Sequence, residues 1–237
     1  MPSALTSTQQ SCGFGPADVR AVIFDCDGTL VDSEDIAFRV IHRQALDLGV
    51  RQLSEAALHE LRGRSMSTSL GIIERHLGRP LPVDFEATLR SAMAEAFRAE
   101  LVPMAGAALT LERLNVPFCV ASNGPRSKTE LTLGIAGLLP HLRNSIFSAY
   151  EVGLFKPDPG LFLAAARSMG VPPENCAVVE DSLPGMVAGL AAGMTVYAVR
   201  GSVVIPDELA ARVRGLANLH ELALQDWNRP GRPPSHA

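Results

Sequence analysis

The chain alternates between short, almost wholly apolar runs and longer segments in which apolar side chains recur every three or four positions. The first run, Ala21-Val22-Ile23-Phe24, stops abruptly at Asp25-Cys26-Asp27-Gly28-Thr29. Such a run fits a strand covered on both faces, which presents ligands at its carboxyl end. Beyond it, Ile36, Val40, Ile41 and Leu48 recur near helical spacing, with Ser33 as the expected N-cap and Gly49 as the stop. Ser54 is placed to cap a second helix through Leu61, a third runs from about Ser67 to Leu77, and Asp84 is placed to cap a fourth from Phe85 to Leu101. That last segment is rich in Ala, Glu, Arg and Leu, strong helix formers. No strand is needed between Ser33 and Pro103.

After Pro103 the pattern becomes a strict alternation. The expected order is helix Ala105 to Leu114, strand Pro117 to Ser122, helix Arg126 to Ala136 and a short strand Ser145 to Ser148. A helix follows that starts at Pro157 to Pro159 and runs to Met169, with Gly170 ending it. Then come strand Cys176 to Glu180, helix Leu183 to Ala192 and strand Thr195 to Val199. Asp207 is read as capping a helix to Val213, and Leu219 to Trp227 as helical. Strands separated by helices require parallel pairing with right-handed crossovers. The predicted fold class is therefore α/β, a doubly wound parallel sheet over residues 17–34 and 104–228, with an inserted α-helical cap over 35–103. Residues 1–16, polar and without a signal-like pattern, and 229–237, with three prolines, read as flexible tails.

Composition narrows the function. With 47% hydrophobic and 19% charged residues the chain is an ordinary globular one, and its net charge of -4 offers no basic excess for nucleic acid. No stretch approaches the ~18 consecutive apolar residues needed to cross a bilayer, so no membrane association is expected, and the cysteine usage fits reduced thiols in the cytoplasm. Cys26, Cys119 and Cys176 fall in predicted strands as small apolar filler, and no Cys-x-x-Cys pair occurs. The six histidines show no ligand pairs, so a zinc site is not expected.

The chemistry gathers at the predicted strand tips. Alternate residues of an extended segment share a side, so the carboxylates of Asp25 and Asp27 converge and repel unless a cation or proton compensates. Ser122-Asn123-Gly124 ends the second strand with a hydroxyl and free amides suited to an anion. Lys156 supplies a cation ahead of Pro157, and Glu180-Asp181 add two acids at a further tip. Four carboxylates at neighbouring tips call for a hard cation such as Mg²⁺.

These four stretches stand in the order of the four motifs of the haloacid dehalogenase-like hydrolases, and the chain resembles that family over most of residues 21–200. The resemblance implies a Mg²⁺-dependent phosphatase forming a phospho-aspartyl intermediate. In it Asp25 is the nucleophile, Asp27 the general acid and base, and Ser122 and Lys156 hold phosphate. Gly28, Thr29 and Asn123 belong to the phosphate-binding tips. Asp25, Asp27 and Asp181 hold the metal, with Glu180 a ligand or a support. The helical insertion resembles the cap of the phosphoglucomutase-like branch, and Leu61-Arg62-Gly63-Arg64-Ser65-Met66-Ser67 resembles its specificity loop, where Arg62 and Arg64 suit a second anionic group. Within the family, Ser122-Asn123-Gly124-Pro125, Phe147-Ser148-Ala149-Tyr150 and Lys156-Pro157-Asp158-Pro159 resemble the bacterial 6-phosphogluconate phosphatases. The expected partner is thus a small phosphorylated metabolite, the expected assembly a monomer or weak homo-oligomer. A sugar-phosphate mutase is the alternative, disfavoured because Ala37 and Met66 stand where such mutases carry histidine and arginine. A non-catalytic phosphometabolite-binding protein is the alternative of another class, disfavoured by retention of both first-motif acids.

Overall fold

A computed structural model describes residues 19–50, 66–142, 145–199 and 203–224. The predicted helix from Ser54 to Leu61, the Arg62-Gly63-Arg64 loop and both tails lie outside these residues. Among the described residues six strands form one wholly parallel sheet in the order β3-β2-β1-β4-β5-β6. They are β1 (Ala21–Phe24), β2 (Phe118–Ser122), β3 (Ile146–Ser148), β4 (Cys176–Glu180), β5 (Thr195–Val199) and β6 (Arg214–Leu216). The chain works outward in one direction from β1 to β3 and in the other from β4 to β6. The order therefore reverses between β1 and β4, and the crevice beyond their carboxyl ends is where such sheets bind ligands.

The sheet is covered on both faces. Along β1, Val22 and Phe24 enter one apolar cluster while Ala21 and Ile23 enter the other, as the two-residue strand period requires. Phe24 is fully buried, edge-on to Phe118 at 6.4 Å between ring centroids. Truncating such a side chain to alanine costs about 3–5 kcal/mol. Flanking helices relevant below are α4 (Ala107–Arg113), α5 (Arg126–Ile135), the one-turn α6 (Ala149–Val152), α7 (Gly160–Met169) and α8 (Leu183–Ala191).

Between β1 and β2 the described chain is helical: α1 (Glu34–Asp47), α2 (Met66–Leu77) and α3 (Phe85–Glu100). Ile36, Ile41, Ile73, Leu89 and Phe97 bury the inner faces of these helices in the cluster that also holds Phe24. The two tethers of this cap are paired to each other. The Asp32 amide donates to the Val102 carbonyl at 3.0 Å, the Met104 amide to the Leu30 carbonyl at 2.9 Å, and Val31 bridges Pro103 antiparallel.

Several local expectations give way to tertiary contacts. Ser33 and Asp84 precede α1 and α3 but neither makes a side-chain cap; Ser33 instead donates to Asp27 at 2.5 Å. The helix after Pro103 begins only at Ala107, behind Gly106 at φ 87°. The helix expected from Pro157 begins at Gly160 and still ends at Gly170. Asp207 starts a helix of one turn, α9 (Asp207–Ala210), and not one to Val213, because the chain then extends into β6 against β5. The helix expected from Leu219 is the short α10 (His220–Ala223) within the described residues.

Candidate active site

Four strand ends meet above the sheet. Asp25 directly follows β1, its amide donating to the Val179 carbonyl of β4 at 2.9 Å, which fixes the acid at the crevice. Lys156 arrives from the loop before α7 and donates through Nζ to Asp25 Oδ1 at 2.5 Å and to Glu180 Oε1 at 2.8 Å. Its ammonium also lies 4.8 Å from the centroid of the Phe162 ring. All three polar groups are buried, so these bonds are made in a dry environment where charge pairs are strong and lone charges costly.

The neighbouring acids face each other with insufficient compensation. Burial pushes the Asp25 carboxyl up to about 8, and Glu180 and Asp27 push it the same way, against the opposing charge of Lys156. Burial likewise raises Asp181 well above the usual carboxylate range, helped by Glu180, Asp25 and Glu34. Asp27 goes the other way. Burial alone would raise it, but the Lys128 charge and hydrogen bonds from Lys128 and Ser33 hold it below the ordinary value. Burial would lower Lys156, yet Asp25 and Glu180 outweigh it and keep the ammonium charged.

A family profile described as haloacid dehalogenase-like hydrolase matches residues 19–193, which include every one of these groups. The chain belongs to the haloacid dehalogenase-like hydrolases. It is 36% identical over 180 residues to the 6-phosphogluconate phosphatase of Escherichia coli K12, covering 76% of this chain and 81% of that one. It is 32% identical over 194 residues to hexitol phosphatase A of the same organism, covering 79% and 86%. Among solved structures, a haloacid dehalogenase family hydrolase from Deinococcus radiodurans with bound phosphate and sodium superposes with a TM-score of 0.69 at 32% identity, over 87% of this chain and 94% of that one.

Within this hydrolase several candidate phosphate contacts are committed elsewhere. Thr29, fully buried, donates its hydroxyl to Asp181 Oδ1 at 2.9 Å, so it orients an acid. The Gly28 amide closes a turn onto the Val31 carbonyl at 2.9 Å. Gly28 stands at φ 79°, and a Cβ there would overlap the Asp181 carboxylate. Glycine is therefore what lets Asp181 approach the β1 tip. Asn123 spends both ends of its amide on the Lys156 backbone, accepting at 2.9 Å and donating at 3.2 Å, which locks the lysine loop to the β2 tip. Ser122 accepts from the Gly124 amide at 2.9 Å, leaving its hydroxyl proton as the group to offer an anion. Both oxygens of Glu180 are engaged, one by Lys156 and the other by the amide and hydroxyl of Ser182 at 2.7 and 2.8 Å. That arrangement favours the supporting role for Glu180 over a place among metal ligands.

The donor set fits Mg²⁺. Asp25 and Asp181 are hard oxygen donors whose ionisation is disfavoured first by burial and then by the neighbouring acids, and a divalent cation would offset both effects. Among the described residues no three His, Cys, Asp or Glu side chains gather as a closed cage. An ion that keeps several waters and takes substrate oxygens does not require a closed cage, and the two carboxylates would suit it.

Sequence reasoning missed Lys128 and Ser33, both bonded to Asp27 Oδ1. Lys128 sits in the first turn of α5 with its ammonium 5.7 Å from the Phe97 ring centroid of α3. A cation in a first turn opposes the helix dipole, and that local misfit is the one clue the sequence offered. Above the acids lies a cavity of about 400 Å³ between core and cap, in the size range of small-molecule sites. Ala37, Phe38, Met66, Arg90 and Met93 wall it from the cap side. Cys26 is buried, points to Thr132 at 3.7 Å, and burial raises its thiol far out of the reactive range.

Proposed function

We propose that the chain is a Mg²⁺-dependent phosphatase of small phosphorylated sugar acids, with 6-phosphogluconate the leading substrate. The observation that carries this reading is the buried Lys156 ammonium shared between Asp25 and Glu180 at the sheet's reversal point, with Asp27 lining the same cavity as Asp25. The named phosphatase relatives support the reaction class, and the first of them supports the substrate.

One carboxylate oxygen of Asp25 attacks phosphorus as the bond to the sugar oxygen breaks, giving an aspartyl phosphate, and Asp27 delivers a proton to the departing oxygen. Water then attacks phosphorus while Asp27 takes its proton, and the Asp25 carboxylate leaves with release of inorganic phosphate. Asp25, Asp181 and the Asp27 carbonyl would hold Mg²⁺, which would supply charge neutralisation between nucleophile and phosphate. Lys156 and the Ser122 hydroxyl hold the other phosphoryl oxygens. In the described arrangement Asp27 is ionised against Lys128 and Ser33, the state of a base, and donating a proton requires it to leave Lys128.

Ala37 and Met66 on the cavity wall supply neither a proton nor a charge, which favours hydrolysis over a mutase that must hold two phosphates. The test is phosphate release from a panel of sugar and sugar-acid phosphates, with Mg²⁺ and with EDTA, by wild type and Asp25→Asn. Mg²⁺-dependent release lost in the variant supports the reading; release that survives Asp25→Asn near the wild-type level removes it.

A further inference from the structure

Three cations line the cavity among the described residues, and two are spent on the catalytic acids: Lys156 on Asp25 and Glu180, Lys128 on Asp27. The third, Arg90, lies across the cavity on α3. With Met93, Ala94 and Phe97 it forms the stripe that α3 turns toward the cavity, a spacing that places all four on one helix face.

Arg90 has two partners of different character. Nε and Nη2 both donate to a single oxygen of Glu86, at 2.8 and 2.6 Å, one turn back on the same helix. Nη2 also reaches the Tyr150 hydroxyl of the core at 3.2 Å, with the guanidinium carbon 5.9 Å from that ring centroid. Tyr150 is braced edge-on by Phe155 at 5.2 Å. The Glu86 side chain is 48% exposed, and an exposed pair at this helical spacing contributes little, so a better-placed carboxylate can replace it.

We propose that Arg90 and Tyr150 form the subsite for a second anion on the substrate, a carboxylate at the end remote from its phosphate. A planar guanidinium beside a phenolic hydroxyl suits a planar carboxylate, and among the described residues the cap wall, with Phe38, Met66 and Met93, offers a sugar acid no other cation. The spacing agrees. Tyr150 follows β3, two strands from β1, which sets it about 10 Å along the sheet from the nucleophile. That is the order of length of an extended six-carbon chain. Because Arg90 belongs to the cap and Tyr150 to the core, a carboxylate held by both also ties the cap down over the phosphate end.

This inference rests on the phosphatase reading, and its test is a binding measurement so that the two fail separately. Isothermal titration calorimetry in the Asp25→Asn background, with Mg²⁺, compares 6-phosphogluconate with glucitol 6-phosphate, which carries a hydroxymethyl group in place of the carboxylate. The readout is the ratio of the two affinities. Arg90→Met lowers that ratio about tenfold, the worth of one charge-assisted contact, and a fall of less than about threefold to fivefold overturns the subsite. Where Arg90→Met does not fold, Glu86→Gln decides. Removing the competing carboxylate raises the ratio, and an unchanged or lowered ratio overturns the proposal. Absence of phosphate release by wild type, measured separately with an aryl phosphate, would instead strike the catalytic reading.

Discussion

Asp25 makes the metal-free fold sensitive to pH in a direction opposite to that of most carboxylates. Its carboxyl, 7% exposed, rises from 3.8 to about 8 on folding, chiefly through burial, with Glu180 and Asp27 adding to it. The folded state therefore holds this proton more tightly than the unfolded chain. The associated stability is fully present below the unfolded value and drains away as pH climbs through the folded one. Each tenfold gain in proton affinity is worth about 1.4 kcal/mol, and integrating between about pH 5 and about pH 8 gives a loss of about 3–4 kcal/mol from this one group. Asp25→Asn cannot ionise and should lose none of it. Urea unfolding of wild type and variant in EDTA, at both pH values, reads the difference directly. The variant should gain on wild type by that amount as pH rises, and Mg²⁺ should restore wild type by binding only the folded form. Parallel pH profiles for the two proteins would show that the site does not hold Asp25 against its charge, and the case for a cation offsetting it would lose its basis.

Other outcomes follow from neighbouring contacts. Thr29→Val removes the hydroxyl that orients Asp181 and should weaken Mg²⁺ about 10–100-fold, read from the metal dependence of phosphate release. Lys128→Met frees Asp27 from the cation holding it low, so the acidic limb of the kcat–pH profile should move to higher pH; an unmoved limb would refute the assignment of Asp27 as base. Gly185→Ala places a Cβ on the Glu180 carboxylate, which should cost about 1–3 kcal/mol in unfolding free energy and lower kcat as Lys156 loses its support.

The sheet was legible because β1, β2, β4 and β5 are short apolar runs ending in turn or acid residues, and burial on both faces leaves them no polar alternation to confuse the reading. β6 was not, since Arg214-Gly215-Leu216 carries one buried side chain and exists only because β5 offers it an edge. The same division runs through the site. Asp25, Asp27, Lys156 and Asp181 could be named from chemistry at strand tips, whereas the work of Thr29, Asn123 and Glu180 is set by partners up to 152 residues away. Lys128 stands 101 residues from Asp27, and Arg90 stands 60 from Tyr150, so nothing in local sequence announces either contact.

The paired tethers at Leu30 to Asp32 and Val102 to Met104 have a consequence for how this architecture can vary. About seventy residues leave the sheet and come back through a doorway about one strand spacing wide, zipped by backbone bonds that no side chain specifies. Whatever is spliced in beyond that doorway, longer, shorter or differently folded, arrives and departs at the same two points. The machinery that handles phosphate can thus stay put while the lid that chooses the rest of the molecule is exchanged.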